Sequence, residues 1–152
     1  MKQIIDKFDG EYAFLSNFYH CPIVDDDGIE YTTNEHYFQA YKTTNMIDRR
    51  FIAAAPTPGE AKRLGRKIAL RPDWEQVKDS VMLDGLRLKF SKPTMKKKLL
   101  ETGDAELIEG NWWCDNTWGV CSCPRCPGTG QNRLGKYLML VRSELRAEQE
   151  AK

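Results

Sequence analysis

Residues 31–42 read Tyr-Thr-Thr-Asn-Glu-His-Tyr-Phe-Gln-Ala-Tyr-Lys, and here the chain turns from extended structure into helix. Just upstream, Cys21-Pro22-Ile23-Val24 and Ile29-Glu30-Tyr31 flank Asp25-Asp26-Asp27-Gly28. A glycine-containing turn between short apolar runs predicts a β-hairpin. Thr32-Thr33-Asn34-Glu35 then offers capping groups, and the spacing predicts a helix running to about Thr44. On that helix Glu35, Gln39 and Lys42 stand at i, i+4 and i+7, so one face presents a carboxylate, an amide and an amine. Such a face suits proton transfer at a polar bond, with the amide orienting a substrate hydroxyl. The plainer alternative is that Glu35 closes a capping box with Thr32 and Lys42 is solvated.

Downstream of this stretch the reading is mostly helical. A second helix is expected over Asp48–Ala55, stopped by Pro56. Thr57-Pro58-Gly59-Glu60 combines an N-cap threonine, a proline at the first helical position and a glutamate two residues on, giving a short helix that ends near Gly65. Asp73 can cap the next and longest helix, in which Val77, Val81, Leu86 and Phe90 recur at near-helical spacing. Pro93 breaks it and starts another, closing at Thr102-Gly103. Residues 105–109 leave strand or loop open, and 111–130 read as an irregular loop. In the last helix Leu134, Tyr137, Leu138, Val141 and Leu145 form an apolar stripe, with a polar end from Arg146 expected to fray. The first 31 residues look extended. The expected fold is α+β: a predominantly helical single domain over residues 1–152 with a small antiparallel sheet.

Composition narrows the function classes. The 152 residues are 41% hydrophobic and 30% charged with a net charge of +1, so no global basic field favours nucleic acid. Lys92 and Lys96-Lys97-Lys98 are a candidate local basic patch for nucleic acid, the alternative being a solvated helix face. No stretch approaches the ~18 apolar residues of a membrane span, so no membrane partner is expected, and the first residues lack the apolar core of a signal peptide. Five cysteines is an odd number, and four crowd between Cys114 and Cys126. That usage fits a reducing, cytoplasmic compartment better than a disulfide framework.

Several constellations carry chemistry. Neither His36, which lies off the polar face, nor His20 belongs to a Ser/His/Asp order, and no Walker loop or Rossmann fingerprint appears. Gly128-Thr-Gly130-Gln-Asn132-Arg-Leu-Gly135 precedes a helix, and its backbone amides could hold a phosphate. Aromatic residues sit beside polar ones at Phe14–Tyr19, Arg71–Trp74 and Trp112–Gly119, as a nucleotide pocket needs; core packing is the competing reading, chiefly for Phe14 and Trp74. Cys114, Cys121, Cys123 and Cys126 could supply four thiolates to a structural zinc, the alternative being loose thiols in a loop. A four-thiolate site leaves no open coordination position, so no cofactor is expected in the chemistry itself.

Taken in order, Leu15-Ser-Asn-Phe-Tyr19, Tyr31–Lys42, Arg71-Pro-Asp-Trp74, Lys89-Phe90, Thr102-Gly103, Asp115 with Trp118-Gly119, and Gly130–Gly135 with Leu138-Met139 resemble the NADAR family. The resemblance spans nearly the whole chain and implies an N-glycosidase cleaving a ribose C1–N bond. Its substrate would be ADP-ribose on guanine, in nucleic acid or nucleotides, or a phosphorylated ribosylamino-pyrimidine of riboflavin biosynthesis. A non-enzymatic ADP-ribose-binding module is the alternative from another class. Carried over residue by residue, the resemblance makes Glu35 the catalytic carboxylate and Lys42 its partner. Asp115 and Trp118 become pocket residues at the reacting ribose, and Asn17, Phe18, Arg71, Trp74 and Asn132 substrate contacts, beside the Gln39 amide. The cysteine insertion between Gly119 and Gly130 departs from the shorter loop of many members and alters the substrate entrance.

Overall fold

In the computed structural model, which describes residues 2–126 and 128–152, the elements follow one another as short strands, then helices, then short strands, then a helix. They are β1 (Ile4–Ile5), a 3-10 helix (Gly10–Leu15), β2 (Ile23–Val24), β3 (Glu30–Tyr31), α1 (Asn34–Ala40), α2 (Met46–Ala53) and α3 (Pro58–Gly65). There follow α4 (Trp74–Phe90), α5 (Pro93–Glu101), β4 (Glu106–Leu107), β5 (Gly110–Asn111), β6 (Val120–Cys121) and α6 (Arg133–Glu150). The α+β class holds, and the anticipated antiparallel sheet is the β2–β3 ladder, Ile23 opposite Tyr31. Two further ladders, β1–β4 and β5–β6, are parallel. Among the described residues no helix is long and apolar enough to cross a membrane.

The chain divides into two compact units, Asn17–Lys89 and Met1–Ser16 with Phe90–Lys152. In the Asn17–Lys89 unit, α1 is buried along its whole length, as a helix at the centre of a packed unit must be. It starts where Thr33 Oγ1 accepts the His36 amide at 3.1 Å, so the cap is Thr33 rather than Thr32. It stops at Ala40, short of the expected Thr44, because Tyr41 is held by tertiary contacts. The Tyr41 ring stacks on Tyr37 with centroids 4.3 Å apart, Arg49 lies 3.9 Å over it, and its hydroxyl donates to Asp25 at 2.8 Å. Asp25 also accepts from the Tyr31 hydroxyl and from the amides of Asp27 and Ile29. Burial alone would raise this carboxyl; the four donors hold it below the usual range. The hairpin is thereby tied to the end of α1.

The other unit is built around α6, whose Leu134, Leu138, Val141 and Leu145 are all buried, each contributing roughly 1.5–3 kcal/mol by burial. With 18 residues against 17 for α4, α6 is the longest helix. Its polar end does not fray at Arg146: the helix continues to Glu150, and Arg146 donates to Asp104 and to the Gly103 carbonyl. Buried Arg142 reaches Thr102 Oγ1 and the Ala105 carbonyl, each at 2.8 Å. The first 31 residues, expected to be extended throughout, contain the 3-10 helix, which buries Phe14 and Leu15.

Candidate active site

Glu35 lies in the first turn of α1, 8% exposed. Its amide donates to the Asn17 carbonyl at 3.0 Å, which satisfies one of the donors that a helix start leaves open. Its carboxylate accepts from Gln39 Nε2 at 2.6 Å, one turn along, as the i, i+4 spacing predicts. Gln39 Oε1, also buried, has no hydrogen-bond partner among the described residues. Gly65 at the end of α3 faces this amide so closely that any Cβ there would strike the Gln39 side chain. Helix α3 thus presses Gln39 onto Glu35.

Lys42 falls just past α1, in the turn closed by its own amide on the Gln39 carbonyl at 3.2 Å. It is half-buried. Burial lowers the pKa of its amine, the Glu35 charge works against that shift, and Lys62 and Arg66 push it further down. Its Nζ stands 5.9 Å from the Phe38 ring centroid, and its carbonyl accepts the Arg71 amide at 2.8 Å. Arg71 is clamped by Asp73 at 2.7 and 3.1 Å, so its guanidinium is oriented, and Asp73 raises its pKa. The Asp73 carboxylate therefore serves Arg71 while its carbonyl accepts the Gln76 and Val77 amides at the head of α4.

Other expected contacts of this unit have visible structural duties. The side chain of Asn17 bridges Asn34 at 2.9 Å and Met82 Sδ at 3.4 Å. Trp74 is 6% exposed with its ring edge-on to Phe38 at 5.1 Å. Phe18 stays 47% exposed. His36 is structural: its Nε2 can only donate to the Ala55 carbonyl at 3.0 Å, so Nδ1 faces Thr33 Oγ1 at 2.7 Å as an acceptor. Burial lowers its pKa, against the pull of that carbonyl, and keeps the ring neutral.

Asp115, Trp118 and Asn132 belong to the unit built on α6. Asp115 Oδ1 accepts the amides of Thr117 and Trp118 at 3.1 and 2.9 Å, so one carboxylate oxygen closes a turn. Trp118 is half-buried with the Arg133 guanidinium 6.0 Å from its ring. Asn132, in the left-handed region at φ 48°, accepts the Glu109 amide and donates to the Leu107 carbonyl, each at 2.9 Å. It thereby clips β4 to the head of α6. The expected phosphate cradle is already in use. Amides 131, 132, 133 and 134 donate to the carbonyls of Asn116, Gly119, Thr117 and Trp118 at 2.8–3.3 Å, leaving none of these four for an anion. In the same unit a groove of about 670 Å³ is lined by Lys7, Phe8, Ile108, Trp112 and Trp113 among others, and the two tryptophans are 75% and 56% exposed.

A model of the NADAR domain matches residues 5–146. The chain belongs to the NADAR family. Over 141 residues it is 39% identical to N-glycosidase YbiA of Escherichia coli (strain K12), a match covering 91% of this chain and 84% of that protein. It is 36% identical over 140 residues to riboflavin biosynthesis protein VVA0006 of Vibrio vulnificus, covering 90% of this chain but 36% of that one. The NMR structure of the E. coli protein YbiA matches with a TM-score of 0.85 at 37% identity, over 100% of this chain and 90% of that one. The fold is therefore the NADAR fold.

Two features of this NADAR chain escaped sequence reasoning. Lys62 and Arg66, in and just after α3, act electrostatically on Lys42; their Lys-Arg-Leu-Gly-Arg run looks like a solvated face until α3 is seen against α1. Lys89 is wholly buried at the end of α4, its Nζ 5.7 Å from the Tyr19 ring, and burial pulls its pKa down to about 7. The sequence signalled it through the Lys89-Phe90 motif of the family resemblance and a lysine on the apolar side of a helix, with no role attached.

Proposed function

We propose that this chain hydrolyses the ribose C1–N bond joining ADP-ribose to guanine, with Glu35 as the catalytic carboxylate. The bond class follows from kinship: the chain is a hydrolase acting on N-glycosyl bonds, the activity for which its relatives are named. The observation that carries the finer reading is a buried Glu35 whose charge acts on Lys42, itself under the influence of Lys62 and Arg66. A carboxylate stabilises the oxocarbenium-like charge that develops at C1, and neighbouring cations suit the phosphates of the same substrate. As the C1–N bond breaks, its electron pair leaves with the base nitrogen, which takes up a proton. Water adds to C1 and gives its proton to Glu35. Held by Gln39, the carboxylate keeps a fixed direction for that transfer. Such a reaction belongs in the reducing cytoplasm.

A second reading is favoured by the Vibrio relative, whose name assigns it to riboflavin biosynthesis: a phosphorylated ribosylamino-pyrimidine would present the same C1–N bond and a phosphate. The deciding experiment incubates the protein with an oligonucleotide ADP-ribosylated on guanine and, separately, with the riboflavin intermediate, following both by liquid chromatography and mass spectrometry. Release of ADP-ribose and restored guanine, with kcat/KM at least about tenfold above that for the intermediate, is expected. The reverse preference replaces the first reading by the second.

A further inference from the structure

We propose that Cys114, Cys121, Cys123 and Cys126 bind one zinc ion that holds the turn bearing Asp115 and Trp118 in place. The four sulfurs all lie within 4.8 Å of one another. Zinc at about 2.3 Å from each of four sulfurs, in a tetrahedron, sets them about 3.8 Å apart, so the side chains are gathered almost to that size. Cys114 and Cys123 sulfurs are 3.5 Å apart, far beyond the ~2.05 Å of a disulfide bond. A cubane iron–sulfur cluster needs its cysteine sulfurs spread much wider than this group.

The surrounding backbone is arranged around the sulfurs. Cys121 Sγ accepts the amides of Cys114 and Cys123 at 3.2 and 3.3 Å. Asn116 Nδ2 donates to Cys126 Sγ at 3.3 Å, and Arg125 Nη2 to Cys114 Sγ at 3.6 Å. Thiol sulfur is a weak acceptor; donors converging on three of the four sulfurs match thiolates, whose excess charge on zinc they offset. The Cys123-Pro124-Arg125-Cys126 turn closes through the Cys126 amide on the Cys123 carbonyl at 3.1 Å, which brings two thiols to one side. Cys114 adopts φ 67°, a left-handed conformation that costs a non-glycine residue roughly 1–3 kcal/mol and persists where the surroundings enforce it. Cys121, on β6, is fully buried beneath the group. The fifth cysteine, Cys21, belongs to the other unit.

Asn116 joins this cluster to the turn bearing Asp115 and Trp118. Its Nδ2 meets Cys126, its Oδ1 accepts the Cys121 amide at 2.9 Å, and the carbonyls of 116–119 take up the first amides of α6. Four thiolate ligands close the coordination shell, so the ion is structural and no substrate reaches it. Binding sends the thiol protons to solvent, so zinc is lost in acid.

The test uses the full chain purified anaerobically without a metal-affinity column. One zinc per chain by mass spectrometry of the metals is expected, together with the thiolate-to-metal charge-transfer bands of tetrahedral cobalt after exchange. Cys123→Ser with Cys126→Ser should abolish binding, and Cys21→Ser should keep it. Where the double variant fails to fold, the wild type is stripped with chelator instead. Amides 131–134 should then exchange with deuterium at least about tenfold faster, and zinc should restore their protection. Reduced protein without any bound metal, two native disulfides among the four cysteines, full zinc in the double variant, or unchanged exchange after stripping each overturns the proposal.

Discussion

Replacing Gly65 by alanine tests whether α3 holds the Glu35 carboxylate, proposed as catalytic, through Gln39. In an ordinary helix this substitution gains about 1 kcal/mol, because glycine is the costlier residue to order. Here the new Cβ would stand 2.9 Å from Gln39 Cδ and 3.2 Å from its Cβ, and closer still to Oε1. Gln39 is 3% exposed and has little room to retreat, so the amide must swing off Glu35 and give up the 2.6 Å hydrogen bond. A bond to a buried carboxylate contributes about 1.5–3 kcal/mol, and overpacking costs about 1–3 kcal/mol more. Against a gain of about 1 kcal/mol, the net loss is roughly 2–4 kcal/mol, or a fall of about 4–16 °C in Tm for a chain of this size. With Glu35 released from its fixed direction, kcat should fall about 10- to 100-fold while KM changes little. Thermal unfolding and steady-state hydrolysis measure the two effects. The double variant with Gln39→Ala supplies the sign: without the Gln39 side chain there is nothing to strike, and alanine at 65 should become neutral or stabilising. If Gly65→Ala alone raises Tm and leaves kcat intact, α3 does not hold Glu35 in this way.

Three further outcomes follow from the geometry. Burial lowers the folded-state pKa of His36 from 6.5, so the unfolded chain takes up that proton first as acid is added. The stabilisation is complete above about pH 6.5 and is lost as pH falls through the folded value; His36→Gln should flatten this part of the Tm-against-pH curve. Asn132→Ala removes both clips between β4 and α6 and should cost about 2–4 kcal/mol, read as a lowered denaturation midpoint. With water adding directly to C1 and Lys42 acting as a cation, borohydride added during turnover should trap no sugar on the wild type, whereas an adduct lost in Lys42→Ala would make Lys42 the nucleophile. An adduct that survives Lys42→Ala turns attention to Lys89.

What the sequence made legible was local. Thr57 accepts the Glu60 amide at 3.1 Å as Thr-Pro-Gly-Glu predicts, because a cap is decided within four residues. Glu35 and Gln39 meet because i, i+4 neighbours on a helix always do. Lys42 was harder: seven residues on, its position depends on where α1 stops, and that is decided by Asp25, Tyr31 and Arg49 around Tyr41. The parallel two-residue ladders β1–β4 and β5–β6 were out of reach for the same reason, since two residues carry too little pattern to name a distant partner. Glycines 128–135 looked like an open phosphate cradle because nothing local reveals that carbonyls 116–119 occupy its amides. Lys62 and Arg66 gained meaning only from α3 against α1.

Turnover of ADP-ribosylated guanine oligonucleotide by Glu35→Gln tests the central claim most directly. Glutamine at 35 keeps an acceptor for Gln39, so fold and Tm should be preserved. Removal of the carboxylate should lower kcat by at least about 100-fold, with KM within about threefold of the wild type. A folded Glu35→Gln protein that releases ADP-ribose at the wild-type rate would contradict the account.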